Sequence, residues 1–159
     1  MSRAFVKEQD DQPEELPERP VSSNPNVVTP RGLKLIDQEI DSSRRLLAQG
    51  QGEADKSAIA RASRDLRYWM QRRGSAQIVE PPHSPEAVAF ATRVTILRDD
   101  GRRQTFAIVG EDEADPSKGF IAYTSPLARA LMGKAPGDVA EIPGGEAEIV
   151  ALEPVGPEG

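Results

Sequence analysis

Glu53 and Asp55 stand beside two glycines in the run Gly50-Gln51-Gly52-Glu53-Ala54-Asp55-Lys56-Ser57. Carboxylate oxygens are the ligands that hard cations such as Mg²⁺ prefer, so this pair is the candidate for metal-assisting chemistry. Its spacing argues for a plainer role. Residues at i and i+2 do not share a helical face, and acidic side chains favour the positive N-terminal end of a following helix. Arg61, Arg64, Arg67, Arg72 and Arg73 come next, with Asp65 as the sole acid among them. This stretch could line nucleic acid or an acidic wall, or be an ordinary charged helix face. Tyr68 and Trp69 sit within it, and Trp69 is expected to pack between helices or against the following domain. A third cluster is Asp112, Glu113 and Asp115, an acidic run suited either to solvent or to a basic partner helix. Just beyond it lie Thr124, Ser125 and Pro126. Ser125 reads as a helix N-cap and Pro126 as the first helical residue.

Other chemistry is excluded by residue type. His83 is the single histidine, sits in a proline-rich stretch, and has no cysteine or second histidine to share a metal. With no cysteine there is no disulfide or thiolate site. No G-x-S-x-G or P-loop occurs, and no histidine is placed to activate a serine. Gly144-Gly145 falls between two strand patterns and reads as a turn, not a phosphate cradle. A non-catalytic protein with no cofactor or metal of its own is expected. The net charge of −6, from 26 acidic and 20 basic residues, gives no general attraction to phosphate. No apolar run approaches the roughly 20 residues of a membrane span, and the N-terminus lacks a secretory pattern. A cytoplasmic protein that contacts no membrane is the expectation.

The elements that must position these residues follow from pattern. Residues 1–28 carry four prolines and an acidic run, and are expected to be a disordered tail. A sharper alternative is an acidic arm that docks on a basic surface or folds back on the arginine-rich helix. Thr29 as N-cap and Pro30 as first helical residue open a helix. Leu33, Ile36, Ile40 and Leu47 form its apolar stripe, and it should stop near Gly50. A second helix runs from about residues 53–56 to Arg73, with Ile59, Ala62, Leu66 and Trp69 along one side. Residues 29–80 therefore predict an antiparallel helical hairpin, a short coiled coil. After a linker over 81–90, residues 91–153 predict an α+β domain. Its strands fall at Ala91–Leu97, Gln104–Val109, Gly119–Tyr123, Val139–Ile142 and Ala147–Leu152, with one short helix from Ser125 to Gly133. Residues 154–159 predict a flexible end.

Residues 107–152 contain IVG-x-DEAD at Ile108–Asp115, SPLARAL-G-K from Ser125 to Lys134, Gly137-Asp138, and PGGE at Pro143–Glu146. In order and spacing these motifs resemble the C-terminal domain of the GreA/GreB transcription elongation factors. TPRGLKLID at Thr29–Asp37 is similar to the start of the family's coiled coil, and Leu66–Val79 to its end. The resemblance implies an FKBP-like C-terminal domain docking at the rim of the secondary channel of bacterial RNA polymerase core, with nucleic acid met only through the polymerase. A monomer is expected. Thr124, Ser125, Pro126, Asp112, Glu113 and Asp115 become candidate polymerase contacts, and the five arginines candidate channel or nucleic-acid contacts.

In cleavage-stimulating members, acidic residues at the hairpin tip help to hold a polymerase-bound Mg²⁺, in the manner of two-metal chemistry. The family's tip reads approximately G-D-x-S-E-N-A, a pattern that Glu53 and Asp55 do not reproduce. The hairpin is also about twenty residues shorter, which removes about 15 Å of reach. In this it is similar in architecture to the regulator of nucleoside diphosphate kinase. A polymerase-binding factor that supports transcript cleavage poorly or not at all is the expected function. Two other classes compete: a prolyl isomerase, for which Phe90, Phe106, Phe120 and Tyr123 are the available pocket aromatics, and an adaptor that binds a basic partner through the acidic tail.

Overall fold

The computed structural model describes residues 16–157, so most of the acidic tail and the last two residues lie outside the described residues. The described chain forms two compact units, one of residues 16–24 and 36–74 and the other of residues 25–35 and 75–157.

The first unit is built on two helices, α1 (Pro30–Gly52, whose first turns belong to the second unit) and α2 (Lys56–Ser75). Three contacts fix them as antiparallel. Arg73 Nε donates to Asp37 Oδ1 at 2.9 Å, Arg44 reaches the Met70 sulfur at 3.8 Å, and Gly50 faces Ala58 and Ile59. Ile36, Ile40 and Ala62 are buried in this unit, as their spacing predicts. The predicted stop at Gly50 is corrected. Gly50 lies inside α1, where a Cβ would stand 3.2 Å from Ile59. It lets the helices approach closely, and the turn is made two residues beyond the helix end at Gly52, by Ala54 at φ 51°.

The second unit contains a five-stranded sheet of β3 (Thr92–Arg98), β4 (Arg103–Val109), β5 (Phe120–Ala122), β6 (Val139–Ile142) and β7 (Gly145–Pro154), in the order β5-β4-β3-β7-β6. All pairs are antiparallel except β4 with β5. The short helix α3 (Pro126–Leu131) packs Ala128 and Leu131 onto Val94, Ile96, Ile108 and Ile149, the fully buried centre of the core. Alternation along β3 buries Thr92, Val94 and Ile96. On β7 the inward parity changes from Ala147 and Ile149 to Leu152, because a bulge opposite Thr95 and Ile96 inserts one residue. The Asp99-Asp100-Gly101 and Pro143-Gly144-Gly145 segments are the expected turns.

Three expected boundaries are corrected. The tail does not run free to residue 28: β1 (Val27–Val28) pairs in parallel with β2 (Gln77–Ile78), and Val28 is buried. The 81–90 segment is no open linker, since Val88 is 2% exposed and exchanges backbone hydrogen bonds with Gly133 and Lys134. Nor is the chain's end loose at 154, because Val155 is buried with Ala107, Val109 and Phe120 and its N–H donates to the Ala91 carbonyl at 2.9 Å. Each segment lacks an amphipathic repeat but carries one or two aliphatic residues that the core absorbs.

Candidate functional site

At the turn between α1 and α2 the two carboxylates have separate tasks. Asp55 is the N-cap of α2: its Oδ1 accepts the Ala58 N–H at 3.1 Å and its carbonyl accepts the Ile59 N–H at 3.0 Å. Glu53 is exposed and receives Gln49 Nε2 at 3.3 Å. A cleft of about 290 Å³ beside the turn is lined by Glu53, Asp55, Asp65 and Arg61 among others. Among the described residues no group of three or more acidic or histidine side chains is arranged to hold a metal ion, and His83 is exposed.

The five arginines of α2 do not form one face. Arg61, Arg67 and Arg73 are exposed, Arg64 is half-buried, and Arg72 is 2% exposed. Arg72 is thereby corrected as a contact residue, since its side chain is enclosed and not open to a ligand. Arg73 is held by Asp37, and Arg64 by Asp65 at 3.1 Å. Arg67 is occupied by Glu18, with its Nε 2.9 and 3.1 Å from the two carboxylate oxygens and its Nη2 2.5 Å from Oε1. Arg67 lowers the Glu18 pKa through these hydrogen bonds, with a smaller charge contribution from Arg64, and Glu18 in turn raises that of Arg67. Arg19 places its guanidinium carbon 3.9 Å from the Tyr68 ring centroid and 5.3 Å from that of Trp69. Trp69 is half-buried and meets Tyr68 edge-on at 4.9 Å. Glu18 and Arg19 were not singled out by spacing, because they sit in a proline-rich stretch without periodicity. The acidic run facing an arginine-rich helix was the available signal.

In the second unit, Glu113 is corrected as a surface contact. It is 5% exposed; Thr29 Oγ1 donates to its Oε1 at 2.6 Å and Arg31 Nη1 to its Oε2 at 2.9 Å. Arg31 also lies over the Phe120 ring at 4.2 Å. The surrounding acids remain at the surface: Asp112 and Asp115 are half-buried, and Asp115 Oδ1 accepts from Ser117 Oγ at 2.6 Å. Ser125 is the N-cap of α3, accepting the Ala128 N–H at 3.3 Å, with Pro126 as its first residue. Pro126 is exposed and Thr124 half-buried, so this helix start presents a surface of its own. Of the four aromatics proposed for an isomerase pocket, Phe106 and Tyr123 pack against the main core and Phe120 lies in a separate cluster. Phe120 is covered by Arg31, while Phe90 and Tyr123 meet edge-on at 5.8 Å and the Tyr123 hydroxyl donates to the Pro25 carbonyl at 2.6 Å. No helix among the described residues is long and apolar enough to cross a membrane.

Residues 82–154 match the family model described as transcription elongation factor GreA/GreB, C-term. The transcription elongation factor GreA of Nautilia profundicola is 36% identical over 122 residues, spanning 69% of this chain and 72% of that one. GreA of Helicobacter acinonychis is 32% identical over 130 residues, spanning 74% and 76%. Among solved structures, GreA factor homolog 1 (Gfh1) of Thermus thermophilus aligns over 80% of this chain and 97% of its own at 22% identity, with a TM-score of 0.40.

Proposed function

Since the chain belongs to the GreA/GreB family of transcription elongation factors, we propose that it binds RNA polymerase at the rim of the secondary channel and contributes little to transcript cleavage. The second unit is the docking part in this reading, through Thr124, Ser125 and Pro126, with Asp112 and Asp115 facing a basic polymerase helix. The exposure of Pro126 at the start of α3 supports that assignment. Glu113 has no part in it, being committed to Thr29 and Arg31.

The observation that carries the cleavage half of the proposal is the capping role of Asp55. A carboxylate that helps to hold Mg²⁺ has to turn its oxygens outward, free of other bonds. Asp55 instead accepts the Ala58 N–H, and Glu53 is two residues away across the turn. The shorter hairpin implied by the family resemblance points the same way, with the 23 residues of α1 extending about 35 Å. The chain acts as an occupant of the channel and supplies no metal ligands.

Two measurements on reconstituted elongation complexes test the two halves separately. Binding to core polymerase should fall at least tenfold in Pro126→Glu, and equal binding by wild type and variant removes the docking assignment. Stalled complexes should show little Mg²⁺-dependent shortening of the transcript. Rapid shortening that Glu53→Ala/Asp55→Ala abolishes would overturn the cleavage reading.

A further inference from the structure

Residues 16–24 run against α2 without regular secondary structure, and what they place there corresponds to the two halves of a nucleotide. The Glu18 carboxylate sits in the fork of Arg67, the geometry in which a guanidinium also takes a phosphate. The next residue, Arg19, puts its flat guanidinium over Tyr68, the kind of surface on which a base stacks. Arg64, Arg67 and Tyr68 stand at i, i+3 and i+4 of α2 and so share one face. We infer that residues 16–24 are a built-in competitor covering a site for single-stranded RNA on α2, and that RNA binds there by displacing Glu18 and Arg19.

The covering contacts are of a kind that exchanges readily. The Glu18 and Arg67 side chains are 62% and 55% exposed, and Arg19 with Asp65 at 3.4 Å is about one-third exposed on each side. Such pairs are weak and screened by salt. A segment in this balance lowers the apparent affinity for RNA by the fraction of time that it is closed. It also neutralises the exposed positive charge of α2 in a chain whose net charge is −6.

The inference does not depend on polymerase docking, because its test uses the isolated full-length chain. The probe is a fluorescein-labelled 12-residue oligouridylate at low salt, followed by anisotropy. Arg19→Ala removes a positive charge and so should weaken RNA binding if charge alone governs it. Opening the site predicts the reverse, a tightening of about two- to fivefold, as expected from losing one exposed cation–π contact. Glu18→Gln should tighten binding more than Glu39→Gln, which makes the same charge change on α1. Emission from Trp69, the single tryptophan, should shift on RNA addition and in Arg19→Ala alike. Weaker or unchanged binding by Arg19→Ala, equal behaviour of Glu18→Gln and Glu39→Gln, or no binding by any variant overturns the inference.

Discussion

Thr29 and Glu113, 84 positions apart in sequence, are joined by a buried hydrogen bond of 2.6 Å between Oγ1 and Oε1. The same Thr29 oxygen accepts the Gly32 N–H at 3.0 Å, as an N-cap does. One hydroxyl thus closes the start of α1 and ties it to the loop after β4. Arg31 completes the arrangement on the second Glu113 oxygen. A carboxylate at a helix N-terminus is also favoured by the helix dipole.

Replacing Glu113 by alanine should therefore destabilise the second unit by about 2–3 kcal/mol. It strands the buried Thr29 hydroxyl and leaves Arg31 without its counter-charge. Glu113→Gln keeps the shape and one acceptor, so it should cost less. Denaturant midpoints of the two variants check the order. A larger loss in Glu113→Gln than in Glu113→Ala would contradict it.

Gly32 is bound to this contact. A Cβ there would stand 2.7 Å from Glu113 Oε1, an oxygen held in place by both Thr29 and Arg31. Gly32→Ala should lose about 1–3 kcal/mol from overpacking, despite alanine's better helix propensity. Gly74, near the end of α2, has nothing within 4 Å of the same added atom. Gly74→Ala should be neutral, or stabilising by up to about 1 kcal/mol. Thermal melts should show Gly32→Ala lowered and Gly74→Ala unchanged or raised.

At the hairpin turn, Asp55→Ala removes a cap and should cost about 1 kcal/mol. Glu53→Ala, which loses one exposed contact at 3.3 Å, should be nearly silent. Ala54 holds φ at 51°, in the left-handed region, so Ala54→Gly should stabilise by about 1 kcal/mol. Helical circular dichroism through a urea titration reads all three. A destabilised Ala54→Gly would show that the turn does not carry this backbone cost.

The Glu18 carboxyl should titrate below its ordinary value of 4.5, because Arg67 hydrogen-bonds its ionised form. A lowered folded-state pKa gives stabilisation that is present above the ordinary value and lost as pH falls through the folded one. Closure of residues 16–24 on α2 should therefore weaken only below about pH 4.5. Carboxyl NMR on Glu18 checks the midpoint, and Arg67→Gln should raise it toward the ordinary value. An unchanged midpoint in Arg67→Gln would mean that another group sets it.

Much of this protein was determined by its sequence alone. Thr29-Pro30 and Ser125-Pro126 open helices because a hydroxyl followed by proline satisfies the first turn locally. The spacing of Ile36 and Ile40, and the alternation of Val94 and Ile96, name the buried faces for the same local reason. The motifs from Ile108 to Glu146 carry the family, which the comparisons bear out. What only the tertiary structure decided concerns partners distant in the chain. Glu113 looks like its neighbours Asp112 and Asp115 until Thr29 and Arg31 meet it, and Arg72 looks like Arg73 until packing encloses it. Gly50 reads as a helix stop until Ile59 is set against it. A charge or a glycine has no periodicity of its own. Whether it faces solvent depends on what long-range folding brings to it, and that information lies in the contact and not in the residue.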